Sequence, residues 1–235
     1  MEVRDIFKLR KEGRTEEAYQ AIIPMYKNHH GHFTTMAMFW VGNDMLQLRL
    51  AEKKHDEAVR IFRSLCRVYP GLDDKDGRGQ SVMLHNALKI ADIDDHFSMT
   101  DFIIDWDISR LGTADWTGGT YNGHPVPSVA QRIIGRIYRE VELNQTLEMA
   151  NLVVPILQVA LQHSQYNLTY QRFLALLYKI EGQRDKAVEL YNQMLKKHKL
   201  SYLYSEMAEL VEDAQQKIAL YCQAIITQRE RRSSG

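Results

Sequence analysis

Arg78 and His85, with six residues between them, are the first pair whose side chains suit a chemical reaction. An arginine neutralises the charge of a phosphate, and a nearby histidine exchanges a proton close to neutral pH. An Asp-rich segment follows within residues 90–109, and its charge would repel a phosphate unless a cation were bound. We keep a helical ribonuclease or hydrolase that uses Arg78 and His85 as an alternative function.

The Asp-rich segment is itself the second candidate for chemistry. Asp92, Asp94, Asp95 and His96 carry atoms that a divalent cation can bind. Their spacing differs from that of an EF-hand loop, and acidic side chains near a helix N-terminus favour the helix without any metal. A metal-dependent hydrolase built on the Asp92–Asp95 cluster stays an alternative, while we expect no metal there.

The remaining motifs give little support to an enzyme. The sequence HHGH supplies histidines at positions 29, 30 and 32, but no Cys, Asp or Glu lies close enough in sequence to complete a metal site. The chain contains no P-loop, GxGxxG, GxSxG or HExxH motif. We therefore predict no catalytic residue, no cofactor and no metal, and we expect that the protein is not an enzyme.

The middle of the chain carries residues suited to contact a partner. Residues 112–127 form the longest segment without helical period, and such segments are often functional when they are ordered. They include Trp116, Tyr121 and His124, which either plug the surface or face a partner. The helix predicted to follow carries one stripe of Arg132, Arg136 and Arg139. This stripe either binds an anion, packs against the Asp-rich segment or is simply solvated.

Composition restricts the class of protein. Thirty Lys and Arg balance thirty Asp and Glu, so a generally basic nucleic-acid binder is disfavoured, although nucleic acid remains an alternative partner. Only the sequence RERR at 229–232 is locally basic. Cys66 and Cys222 each lie beside apolar residues at helical spacing, so we expect both to be buried. We also find no secretory signal and no membrane-spanning run, and we predict a cytoplasmic protein.

Hydrophobic residues recur with helical period through almost the whole chain. No run alternates apolar and polar residues convincingly, so strands are not expected. Short polar connections separate the helices, and they predict antiparallel pairs that must stack to bury their apolar stripes. The clearest predicted helices cover 16–27, 56–69, 168–181, 185–195, 201–211 and 214–226.

A repeated arrangement of three residue types marks the helix pairs. A residue that ends one helix is followed after five positions by an alanine and after four more by a large apolar residue. A glycine at the first position supplies the positive φ that terminates a helix, and the alanine allows two helices to approach closely. The three copies are Gly13–Ala18–Ile22, Lys53–Ala58–Phe62 and Gly182–Ala187–Tyr191.

These residues resemble the tetratricopeptide repeat, best at 39–70 and 168–199 and partly at 4–30. The resemblance implies an all-α solenoid, and the spacing of the periodic segments predicts about ten to twelve helices in a single domain over 1–235. We divide it into N-terminal pairs at 1–71, a divergent middle at 72–145 and C-terminal pairs at 146–235. The first helix of each pair would line a groove, with Asn43, Gln47, Tyr170 and Gln171 as candidate contacts. The function expected is a non-catalytic scaffold that binds a protein or peptide.

Two narrower resemblances suggest other functions. The stretch from Trp106 to Glu140 and the ending at 206–225 resemble the TPR-like proteins that accompany bacterial TOTE-type conflict systems. That resemblance implies a defence role, and it keeps a nucleic-acid-associated accessory protein as a further alternative. The spacing of Arg78 and His85 is similar to the Arg and His pair of HEPN-type ribonucleases.

Overall fold

The computed structural model describes residues 2–233, with side chains as far as residue 230. The described residues form thirteen α-helices and one two-stranded hairpin, so the all-α class is confirmed, with more helices than the ten to twelve expected. The first seven helices are α1 Val3–Lys11, α2 Thr15–Asn28, α3 His32–Ala51, α4 His55–Val68, α5 Arg78–Ala91, α6 Met99–Ile104 and α7 Thr113–Trp116. The other six are α8 Val129–Asn144, α9 Leu147–His163, α10 Leu168–Ile180, α11 Arg184–Lys197, α12 Ser201–Ala208 and α13 Ala214–Ser233.

Residues 119–126 show that the expectation of no strands is wrong. Strand β1 covers Gly119–Tyr121 and pairs antiparallel with β2, His124–Val126. Asn122 and Gly123 connect the strands with φ of 51° and 78°. This is the turn that an Asn-Gly pair favours, because both residues tolerate positive φ. The Asn-Gly pair is a local signal, so a search for longer runs of alternating apolar and polar residues does not detect it.

The three turns inside the helix pairs share one backbone conformation. Gly13, Lys53 and Gly182 have φ of 75°, 59° and 76°. In each turn the following N–H group reaches back five residues to a carbonyl, as in the bond of 2.9 Å from Lys54 to Arg49. This is a Schellman motif, and it satisfies carbonyls that the helix end leaves free. The positive φ expected at the two glycines is confirmed.

Chain contacts divide the protein into two compact units, Met1–Val129 and Ala130–Gly235. Whether the chain behaves as one domain, with the predicted internal boundaries, stays a prediction. In both units the alanine and the large apolar residue of the repeated arrangement are buried, as predicted, while the turn residue before them is exposed. The alanines at 18, 58 and 187 have no exposed area, and Ile22, Phe62 and Tyr191 are exposed by 5% or less.

Aromatic side chains, most of them half-buried, pack together in the first unit. Phe102 of α6 stacks on Trp106 with ring centroids 5.0 Å apart, and Trp106 also contacts Tyr69. Phe62 of α4 contacts Phe102 at 5.6 Å. Such ring pairs add about 0.5–1.5 kcal/mol each beyond the burial of their area. The short helix α6 is thereby held on α4 although its sequence lacks a long helical period.

The second unit has its own core. Helix α8 buries Ile133, Ile134 and Ile137 completely, as its periodicity predicts. Helices α11 and α12 bury Met194 and Leu203 against each other within one apolar cluster. None of the helices in residues 2–233 has the length and apolarity needed to cross a membrane.

The prediction of two buried thiols is wrong for Cys222. Cys66 is half-buried in α4, whereas Cys222 is exposed in α13. The neighbours that suggested burial, Ile218 and Ile225, are themselves 63% and 53% exposed. Helix α13 contacts α12 along another face. Apolar residues near a cysteine in the sequence therefore do not show that another helix packs over it.

Candidate functional site

A row of side-chain amides joins α3 to α5 in the first unit. Asn86 donates from Nδ2 to Oδ1 of Asn43 across 2.9 Å and accepts at Oδ1 from Nε2 of Gln47 across 2.8 Å. Lys89, one turn further along α5, donates from Nζ to Oε1 of Gln47. Two residues predicted for a binding groove thus lie together. We call Asn43, Gln47, Asn86 and Lys89 the amide row.

The more exposed side chains of the amide row keep N–H donors that can bind a ligand at the surface. Asn86 is only 2% exposed, Asn43 and Gln47 are half-buried, and Lys89 is exposed. Among the residues that the structure describes, the NH2 group of Asn43 has no acceptor, and the Lys89 ammonium uses one of its three N–H bonds. The buried Asn86 amide therefore holds Asn43 and Gln47 in place, while Asn43 and Lys89 keep N–H donors for a ligand.

An ion pair and an aromatic ring extend the same surface toward α1. Arg10 donates from Nε to Oδ2 of Asp44 across 2.5 Å and from Nη2 to Oδ1 across 3.2 Å. Its guanidinium carbon also lies 5.8 Å from the centroid of the Trp40 ring. Trp40, Asn43, Asp44 and Gln47 follow at i, i+3, i+4 and i+7, so they share one stripe of α3. This stripe combines an aromatic face with amide groups.

His85 has an acidic partner that the sequence did not indicate. Its Nε2 lies 3.2 Å from Oδ1 of Asp115 in α7, and the side chain of Asp115 is 13% exposed. Arg78 instead lies near its neighbour Asp76, at 3.7 Å, with 80% of its side chain exposed. Two turns of α5 separate Arg78 from His85 by about 10 Å along the axis.

The loop residues predicted to contact a partner differ in exposure. Trp116 is half-buried at the end of α7. Tyr121 is 72% exposed and stands opposite His124, also exposed, across the hairpin. Whether the hairpin binds a partner stays a prediction.

The predicted arginine stripe lies on α8. Arg132 and Arg139 are exposed and Arg136 is half-buried. Arg139 donates from Nε to the carbonyl oxygen of Gly135 across 3.3 Å, one turn earlier. An anionic partner for this stripe stays a prediction.

Tyr170 requires a correction as a groove residue. It is 1% exposed, so its side chain belongs to the core and has no area left for a partner. Gln171 is half-buried and donates from Nε2 to the carbonyl oxygen of Gln165 across 3.3 Å. Alignment of the two turns at Lys53 and Gly182 explains the error. Tyr170 then matches the buried Val41, while Arg172 matches Asn43.

Arg172 is the residue that sequence reasoning missed, and the alignment of turns would have found it. It donates from Nε to Oε2 of Glu206 across 3.0 Å and from Nη2 to Oε1 of the same carboxylate. Its guanidinium lies 5.2 Å from the ring of Tyr138 and 4.6 Å from that of Tyr202. Tyr191 adds a hydrogen bond of 2.9 Å to Glu206. We call these five residues the Arg172 network.

Burial and charge alter the acidity of the network. Burial, with the nearby Glu206 carboxylate, raises the pKa of the Tyr191 phenol well above its ordinary range. Burial also raises the pKa of Tyr138, and the Arg172 guanidinium opposes that increase in part. Both phenols therefore stay protonated and donate hydrogen bonds. Such a network joins α8, α10, α11 and α12, and the Tyr138 hydroxyl donates beyond it to Oε1 of Glu142 across 3.0 Å.

The Asp-rich segment shows no metal site. The described residues contain no group of three or more His, Cys, Asp or Glu side chains placed to hold a metal ion. Asp94 instead accepts from the backbone N–H of His96 across 3.0 Å and lies 3.7 Å from Arg63. In the basic tail, the side chains of Arg231 and Arg232 lie outside the described residues.

Comparison with known proteins does not assign the chain. No protein-family model matches it, and no curated protein is similar in sequence at a significant level. Function is therefore argued from the geometry above.

Proposed function

We propose that this protein is a non-catalytic helical scaffold that binds an extended segment of a partner protein along the amide row. The observation that carries the proposal is the chain of hydrogen bonds from Asn43 through Asn86 and Gln47 to Lys89. A peptide backbone presents one N–H and one C=O per residue, and side-chain amides complement both. The free donors of Asn43 and Lys89 would bind its carbonyl groups.

The proposal includes a TPR-like solenoid, supported by the repeated turn at Gly13, Lys53 and Gly182 and by the buried alanines. Stacked helices hold the binding side chains before the ligand arrives, so the loss of conformational freedom falls mainly on the ligand. A cytoplasmic location belongs to the same proposal, since both cysteines are unpaired. A role in a bacterial conflict system is part of it only through the resemblance.

The test compares Asn43→Asp with a matched control. Peptides are selected from a displayed random library on the wild-type chain, and their Kd is measured on each variant. Asn43→Asp keeps the acceptor for Asn86 but removes the free NH2 donors. We expect about tenfold weaker binding, which corresponds to one lost hydrogen bond of about 1.4 kcal/mol.

Asn28→Asp on α2 is the control. Asn28 is exposed, and its substitution makes the same change of charge away from the amide row. It should leave the Kd within about twofold of wild type, because an exposed charge outside the contact surface adds little. A library that yields no binder, or binders equally sensitive to both substitutions, would contradict the proposal.

Phosphodiester hydrolysis is a second candidate, favoured only by the contact of 3.2 Å between His85 and Asp115. A carboxylate beside an imidazole fixes the orientation of the ring. Purified chain would be incubated with fluorescent RNA alongside the His85→Ala variant. Cleavage that is lost in the variant supports this function, and no cleavage by the wild type removes it. A separate titration of the chain with RNA, at two salt concentrations, measures binding and tests the nucleic-acid accessory function.

A further inference from the structure

A groove between α2 and α4 has the size and lining of a small-molecule site. It encloses about 430 Å³, within the range of roughly 300–1,000 Å³ typical of ligand pockets. Tyr19 and Tyr26 of α2, Met38 of α3 and Val68 of α4 line it. Met38 and Val68 are almost fully buried, so they form a floor. None of these residues belongs to the amide row.

Basic residues line the groove without an acidic counterpart. Lys27 of α2, Arg67 of α4 and His30 line it together, and no carboxylate does. Some other cations of the first unit have a carboxylate partner, as Arg10 has Asp44 and Arg49 has Glu16. Within residues 2–233, Lys27 and Arg67 have no acidic partner. An apolar cavity beside unneutralised cations is complementary to an anion that carries an apolar body.

Hydroxyl groups strengthen that complementarity. Ser64 of α4 also lines the groove, and burial raises the pKa of the Tyr19 phenol, so this side chain stays a neutral donor. Hydrogen bonds to a carboxylate are stronger than those between neutral groups. The groove thus offers both charge and donors to one anionic head.

We propose that the α2–α4 groove binds a small amphiphilic carboxylate, with the head between Lys27 and Arg67 and the apolar body against Tyr19, Tyr26 and Met38. The occupant is a small molecule, because the cavity volume matches one. A protein partner would need about 800 Å² of its own surface buried, far more than this groove offers. The proposal is independent of peptide binding at the amide row.

Sodium decanoate is the probe, titrated into the full chain by calorimetry. We expect saturable binding of one molecule, at least about tenfold weaker binding of 1-decanol, and none of decyltrimethylammonium. Lys27→Gln and Arg67→Gln should each weaken decanoate binding about five- to tenfold, since each removes one charge-assisted contact. Arg60→Gln, on the same helix as Arg67 but outside this groove, should change it less than twofold.

A further variant blocks the groove without changing the charge of the protein. Ser64→Trp places a large ring in the groove at a half-buried position, without deleting a core side chain. It should abolish decanoate binding while the helical circular dichroism and the Tm stay close to wild type. Equal binding of decanol and decanoate, equal effects of Arg60→Gln and Arg67→Gln, or unchanged binding in Ser64→Trp would each overturn the proposal.

Discussion

Lys53→Gly is the substitution whose effect follows most directly from the backbone. Lys53 occupies the turn position that glycine holds at 13 and 182, with φ of 59°. A side chain in the left-handed region costs about 1–2 kcal/mol, because its Cβ crowds the following carbonyl oxygen. Glycine removes that cost.

The net gain is smaller, because glycine has more freedom in the unfolded chain. That freedom costs about 0.5–1 kcal/mol on folding. The difference predicts that Lys53→Gly raises the free energy of unfolding by about 0.5–1 kcal/mol. For a chain of this size the Tm should rise by about 1–4 °C.

Thermal and urea unfolding followed by circular dichroism would measure the effect. Lys53→Ala is the matched control, since it removes the same exposed charge and keeps the positive φ, and it should change stability by less than about 0.5 kcal/mol. Gly182→Ala supplies the reverse change. An added Cβ there meets no atom within 4 Å, so its expected net loss of about 0.5–1 kcal/mol would come from backbone conformation and not from a steric clash. A gain in Lys53→Ala equal to that in Lys53→Gly would refute the reasoning.

Three further predictions concern the second unit and the cysteines. Arg172→Ala leaves the half-buried Glu206 carboxylate without its cation. The free energy of unfolding, measured in urea titrations, should therefore fall by about 1–2 kcal/mol, which is less than for a fully buried pair because Glu206 is partly exposed. An unchanged urea midpoint would contradict this prediction. In alkylation followed by mass spectrometry, the exposed Cys222 should react at least about tenfold faster than Cys66, because burial raises the pKa of the Cys66 thiol from 9.0 to about 11. Because that folded pKa is raised, Cys66 contributes stability below about pH 9 that is lost as the pH rises toward 11. Cys66→Ser should flatten this alkaline decline, and an identical slope in the variant would count against the assignment.

Local patterns in the sequence determined the helices, the turns inside the pairs and the residues that those turns bury. Helical period and a glycine at the end of a helix act within a few residues, so they need no information about distant parts of the chain. Gly13 and Gly182 were predicted for that reason, and the Asn122–Gly123 hairpin could have been predicted in the same way.

Only the tertiary structure decided which half-exposed side chains meet. Asn43 and Gln47 could be chosen from one helix, but their shared partner Asn86 lies about forty residues away. Cys222 was misplaced for the same reason, and although an alignment of the turns would have placed Arg172 at the position of Asn43, its partner Glu206 on α12 was not visible in the sequence. Whether a residue faces a neighbouring helix or solvent depends on the rotation and offset of helices against each other, and these result from the packing of all side chains at the interface.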